Sequence, residues 1–111
     1  MKIVDRKTFL ELPKNILFSK FEPCLFGELL IKGETWGNDF WCQQIKDAID
    51  CNDSGEFADI LFDAIENETH FNMDFECESR DGLFEDGQLF AVWETDDINQ
   101  LIGRLKKLVA I

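Results

Sequence analysis

The chain has no tyrosine, a single histidine and two prolines in 111 residues. The lone histidine, His70, leaves a zinc site or a Cys-His dyad with one imidazole to build on. Cys24, Cys42, Cys51 and Cys77 form no C-x-x-C pair. Zinc-ribbon and thioredoxin-type spacings are therefore missing. The four thiols are expected to be reduced and to serve as small hydrophobes. There is no phosphate loop, no G-x-G-x-x-G and no G-x-S-x-G. No run approaches the roughly 18 apolar residues of a membrane helix. The opening MKIVDRKTFLELP has no apolar segment of signal-peptide length. These readings together lead us to expect a cytoplasmic protein. Positive charge is also scarce: 11 Lys and Arg face 23 Asp and Glu, a net charge of −12. That balance argues against direct binding to nucleic acid or to an anionic membrane, both of which need cationic partners. A basic protein surface is the better match.

What is present is apolar mass and concentrated acid. Eleven Phe and three Trp supply a large core for so short a chain. An apolar fraction of 45% argues against disorder despite the high charge. The length fits one domain, residues 1–111. The stretch from Asp47 to Asp86 holds fourteen carboxylates against one basic residue, Arg80. Its net charge is −13, so the remainder of the chain is close to neutral.

The acids fall in register with expected structure. From Asp53 to Asn67, Phe57, Ile60, Leu61, Ala64 and Ile65 recur at helical spacing. Glu56, Asp59, Asp63 and Glu66 form a stripe on the other side. Asp53 suits the N-cap, with Glu56 completing a capping-box-like pair. From Met73 to Glu78 the period becomes two and predicts a strand. Met73, Phe75 and Cys77 then point one way, and Asp74, Glu76 and Glu78 the other. A charged face is also simply how an amphipathic element is solvated. Two adjacent elements of one sign are less usual, because self-repulsion weakens the fold.

The remaining elements follow from caps, turns and periodicity. Ile3 and Val4 suit the start of a short strand. Asp5 to Leu12 reads as a short helix capped by Asp5 and stopped by Pro13, with Phe9, Leu10 and Leu12 inward. Asn15–Phe21 and Glu28–Glu34 read as an antiparallel hairpin across EPCLFG, with Leu29 and Ile31 sharing one face. Asp39–Ile45 is a third strand, its Phe40 and Trp41 facing opposite ways. Gln88–Glu94 is apolar enough for a central strand covered on both faces. It is paired with Met73–Glu78 through a loop carrying Asp81-Gly82 and Asp86-Gly87. Thr95 to Leu108 is a helix capped by Thr95, with Ile98, Leu101, Ile102, Leu105, Leu108 and Val109 as its packed stripe. Leu101→Ala and Leu105→Ala are then expected to cost about 2–5 kcal/mol each. Gly103 inside that helix would suit close packing against a sheet. The expected order is α-β-β-β-α-β-β-α. It implies an α+β domain with an antiparallel sheet of about five strands, two main helices and a short N-terminal helix.

Few motifs carry chemistry. Asp50, Asn52, Ser54 and Gly55 match the start of a calcium loop, but Leu61 stands where the closing bidentate Glu is required. A turn and an N-cap explain the same residues. Paired carboxylates are uninformative where 23 acids occur, since some pair is always close. No catalytic residue, metal ligand or cofactor is expected. Trp36, in a loop between Gly33 and Gly37, is the tryptophan most suited to an interface.

Three segments, DRKTFLELP, LFSKFEPCLFGELLIKGE and LFAVWETDDINQLIGRL, resemble small uncharacterised proteins of bacteriophages and prophages. The resemblance implies a context and no catalytic residue. Many small acidic phage proteins inhibit host machinery, and some imitate the charge of DNA, as certain anti-restriction and anti-CRISPR proteins do. The expected function is a non-enzymatic binding protein occupying a basic, nucleic-acid-binding surface of a host protein. Its binding residues would be Glu56, Asp59, Asp63, Glu66, Asp74, Glu76, Glu78 and Trp36. The alternatives are an immunity or accessory protein that binds through an aromatic surface, and a small hydrolase.

Overall fold

The structure, a computed structural model, describes residues 1–109. The core is organised by its shortest helix. Strand β1 (Lys2–Asp5) runs into helix α1 (Arg6–Glu11). Asp5 caps α1, its Oδ1 accepting from the Thr8 N–H at 2.8 Å. Leu12 N–H returns to Phe9 O, and Pro13 prevents a further turn. This brief helix drives Phe9 into the sheet. Its ring stacks on Phe90 at 4.0 Å between centroids and meets Phe40 edge-on at 5.0 Å. Phe18 completes the cluster, and all four rings are fully buried. Leu30, Cys42 and Val92 extend it.

The sheet beneath is antiparallel throughout. Its other strands are β2 (Ile16–Glu22), β3 (Leu25–Phe26), β4 (Leu30–Trp36), β5 (Asp39–Gln44), β6 (Glu78–Arg80) and β7 (Leu89–Val92). The order is β1-β7-β2-β4-β5-β6, with β3 paired to β2. Phe18 pairs with Leu30 on one side and Val92 on the other, and Phe21 likewise with Phe26 and Leu89. Strands β3 and β4 therefore share one side of β2, as two pieces of an interrupted strand. Helices α2 (Ser54–Asn67) and α3 (Thr95–Val109) are the other elements among the described residues.

The sheet has seven strands rather than about five, and several expectations are corrected. Met73–Glu78 is not a strand. Met73 makes one isolated bridge, to Ile49. Asp74 Oδ1 then accepts from Glu76 N–H at 2.9 Å, closing a turn. Aspartate favours such local bonds over a ladder. Strand β6 begins only at Glu78 and pairs with β5, not β7. β7 lies between β1 and β2, buried as its apolar run implied.

In β4 the buried face belongs to Leu30 and Lys32, not to Leu29 and Ile31. Lys32 is only 1% exposed. Its ammonium donates to Leu12 O at 2.9 Å, Gly33 O at 3.0 Å and Thr35 Oγ1 at 2.8 Å. Thr35 Oγ1 in turn donates to Leu10 O. The lysine thus ties the end of α1 to β4, filling its donors as a buried cation must. Burial pushes its pKa down, and nearby Glu34 pulls the other way.

Helix α3 is also corrected. None of its residues is buried. Ile98 and Leu101 are half-buried, while Ile102, Leu105, Leu108 and Val109 are exposed. Gly103 faces open space, so close packing is not its explanation. Its N-cap is Glu94 rather than Thr95. The Glu94 N–H donates to Asp97 Oδ2 at 2.9 Å, and Glu94 O accepts from Ile98 N–H. The N-terminal ammonium of Met1 reaches the same Asp97 carboxylate, which helps to hold that group below the usual carboxylate range.

Candidate protein-binding face

Strands β5 and β6 are neighbours in the sheet, yet residues 45–77 lie between them in sequence. The segment leaves the sheet as an arm. Its neck is closed by the Ile49–Met73 bridge, by Asp50 N–H to Asn72 O at 2.9 Å and by Asp74 N–H to Ala48 O at 2.6 Å. Ala48 and Ile49 are buried there. Beyond the neck the arm is mostly α2.

Both ends of α2 are fixed locally. Asp53 adopts extended backbone and accepts from Glu56 N–H at 2.8 Å. The Glu56 carboxylate reaches back to Asn52, accepting from its side-chain amide at 3.0 Å. The expected reciprocal cap therefore forms one residue further upstream. At the other end Glu68 takes a left-handed conformation, φ +54°, and its N–H returns to Ala64 O. Asp63 accepts from Asn67 Nδ2 and Thr69 Oγ1, each at 2.8 Å. Those bonds hold its pKa below the ordinary aspartate value.

The helix turns Phe57, Ala58, Ile60, Leu61 and Ala64 inward, but only half-buries them. Asp59, Asp63 and Glu66 are exposed, and Glu56 is half-buried. The acid stripe is thus where the periodicity put it. The second set is scattered. Asp74 is half-buried in the turn, Glu76 is exposed, and Glu78 opens β6 beside Gln43 Nε2 at 3.3 Å. They do not share one strand face. Among the described residues none of these seven carboxylates forms an ion pair. Arg80, the one cation of the stretch, lies 3.8 Å from Asp39 and over the Trp36 ring at 4.5 Å. Trp36 is exposed, as an interface residue would be, but its packing partner is this arginine.

Sequence reasoning missed the aromatic part of the arm. Phe62 is 62% exposed, and Ile65, expected on the inward face of the helix, is instead 75% exposed. Phe62 follows Asp59 by three and precedes Glu66 by four, so it stands beside the acid stripe. That spacing was available in the sequence. Phe71 is exposed as well, and so are Met73, Phe75 and Cys77, which were expected to share the apolar face of a strand. The arm combines uncompensated carboxylates with open aromatic surface.

The other candidate chemistries gain little. His70 is exposed in the loop after α2. All four cysteines are free thiols, but Cys24 and Cys77 are exposed, so only Cys42 fits the expected role of a buried small hydrophobe. Burial pushes the Cys42 thiol up, and desolvation with nearby Glu56 pushes Cys51 up. A nucleophilic cysteine needs the opposite shift. Among the described residues no group of three or more His, Cys, Asp or Glu is arranged to hold a metal ion. No described helix is long and apolar enough to cross a membrane. Comparison with known proteins finds no matching family model, no matching characterised sequence and no matching solved structure.

Proposed function

We propose that this chain is a binding protein whose acidic arm occupies a basic surface of another protein, one that ordinarily holds nucleic acid. One observation carries the reading: Glu56, Asp59, Asp63, Glu66, Asp74, Glu76 and Glu78, on the arm and at its exit, form no ion pair among the described residues. Uncompensated charge costs the fold self-repulsion and gives fast, steered association with an opposite surface. The exposed Phe62, Phe71 and Phe75 add apolar anchors inside the charged field. The resemblance to small acidic phage proteins extends the reading to a host protein as partner. Charge competition alone suffices for inhibition, and no reaction is needed.

The exposed phenylalanines also favour a second reading, an accessory or immunity-type protein held mainly by aromatic contact. Salt separates the two. The full chain is used as bait in a bacterial lysate at low salt, and a captured protein is purified. Duplex DNA is then titrated against the complex at two salt concentrations. The first reading predicts that DNA and this chain exclude one another and that the complex weakens steeply with salt. A complex indifferent to both DNA and salt would support the aromatic reading instead.

A further inference from the structure

Arg6 is the first residue of α1, directly after the Asp5 cap. It is 95% buried by its 5% relative exposure. A guanidinium stays charged and carries five N–H donors. Such a group is almost never buried without a counter-charge. Here Nη2 donates to Asn38 O in the β4–β5 turn, and the guanidinium carbon lies 5.8 Å from the Phe40 ring centroid. No carboxylate among the described residues pairs with it.

Beside Arg6 is a cavity of about 600 Å³. That size is usual for a small-molecule site, roughly 300–1,000 Å³. Lys7 adds a second cation to its walls, and Leu10 and Phe84 give apolar surface. Phe84 is exposed, as a ring awaiting a contact would be. Glu11 and Asp86 also line the cavity. None of the seven carboxylates proposed for partner binding does.

We propose that this cavity binds a small, singly charged carboxylate with an aromatic or similarly apolar body. The planar fork of Arg6 suits two carboxylate oxygens. Lys7 reinforces the charge at the rim, and Phe84 with Leu10 takes the body. Glu11, Asp86 and the net charge of −12 set the charge of the ligand. They repel a dianion more than a monoanion, so a carboxylate is preferred to phosphate. The bound carboxylate would supply the counter-charge that the fold does not.

The test is an NMR titration of the full chain with phenylacetate, its neutral isostere phenylacetamide, and inorganic phosphate. Phenylacetate should shift the Arg6 Nε–H signal and the amides of Gly37, Asn38 and Phe84. Phenylacetamide should bind at least about tenfold more weakly, and phosphate more weakly than phenylacetate. Phe84→Ala, at an exposed position, should keep the fold and weaken phenylacetate. Arg6→Gln should abolish binding. If Arg6→Gln does not fold, the amide comparison and Phe84→Ala decide alone. Equal affinity for phenylacetate and phenylacetamide, tighter binding of phosphate, no effect of Phe84→Ala, or shifts confined to other residues would each overturn the proposal.

Discussion

The two faces of this sheet are covered very differently. On one, the six residues of α1 bury Phe9 completely among Phe18, Phe40 and Phe90. On the other, Leu17 and Ile31 share a cavity of about 410 Å³ with Phe75 of the arm and Ile98 of α3. Yet α3 has fifteen residues and a clear apolar stripe. A short helix thus seals one face, and a long one only partly roofs the other. Amphipathic pattern states which side of a helix is apolar. It does not state that anything covers that side. Stability should therefore depend on the first face, while the second face and its arm are free for other use.

The sharpest way to break that comparison is a pair of truncations. Phe9→Ala removes the centre of the aromatic cluster and should cost about 3–5 kcal/mol. Leu105→Ala, at 48% exposure, should cost well under the roughly 2–5 kcal/mol of a buried leucine. Chemical denaturation measures both. Equal losses would mean that α3 is as well covered in solution as α1.

Next in size is Lys32→Met. It keeps the apolar stem, removes the donor to Leu12 O and Gly33 O, and leaves Thr35 Oγ1 only its bond to Leu10 O, so a loss of about 1–3 kcal/mol is expected. The lysine also leaves a signature in pH. Its folded pKa is depressed, so the unfolded chain binds the extra proton between the folded value and the ordinary value of about 10.4. Stability should rise with pH through that window. The difference between parent and Lys32→Met should follow it, read as unfolding free energy across alkaline pH. A flat difference would remove the desolvation argument.

The smallest effect concerns the arm. Asp53→Ala deletes the α2 cap and should cost about 1 kcal/mol. Amide exchange should quicken mainly within α2, since the helix buries no residue in the sheet. Exchange that quickens equally in β2 and β7 would join the arm to the core.

Much of this architecture was legible in the chain. Asp5, Phe9 and Pro13 announced α1, the turn residues of EPCLFG announced the β2–β4 hairpin, and alternation announced β4 and β5. The apolar run of β7 announced a central strand. Its partners were not readable, because pairing with β1 and β2 joins segments distant in sequence. Which face of β4 is buried was not readable either. A lysine disqualifies a face locally, and the acceptors that satisfy it come partly from α1 and its exit. The turn at Asp74 defeated the expected strand, since one aspartate bond outweighed an alternation that no neighbouring strand rewarded. The acid stripe of α2 was legible from spacing alone. Arg6 was not, because its burial depends on the Asn38 turn and the Phe40 ring.

On the proposed reading, the arm carboxylates that cap no helix and close no turn serve recognition and not folding. Asp59, Glu66 and Glu76 are the natural choice for reversal, since their side chains accept no hydrogen bond and form no ion pair among the described residues. The measurement is the affinity of the purified basic partner for the parent and for the Asp59→Lys, Glu66→Lys, Glu76→Lys variant, at two salt concentrations, with melting followed in parallel. The variant should melt at or above the parent temperature, because repulsion is relieved. It should bind the partner far more weakly at low salt, and the gap should narrow at high salt as screening shortens to roughly 3 Å at 1 M. Unchanged affinity at both salt concentrations, with melting intact, would contradict the account and leave the stripe as solvated surface.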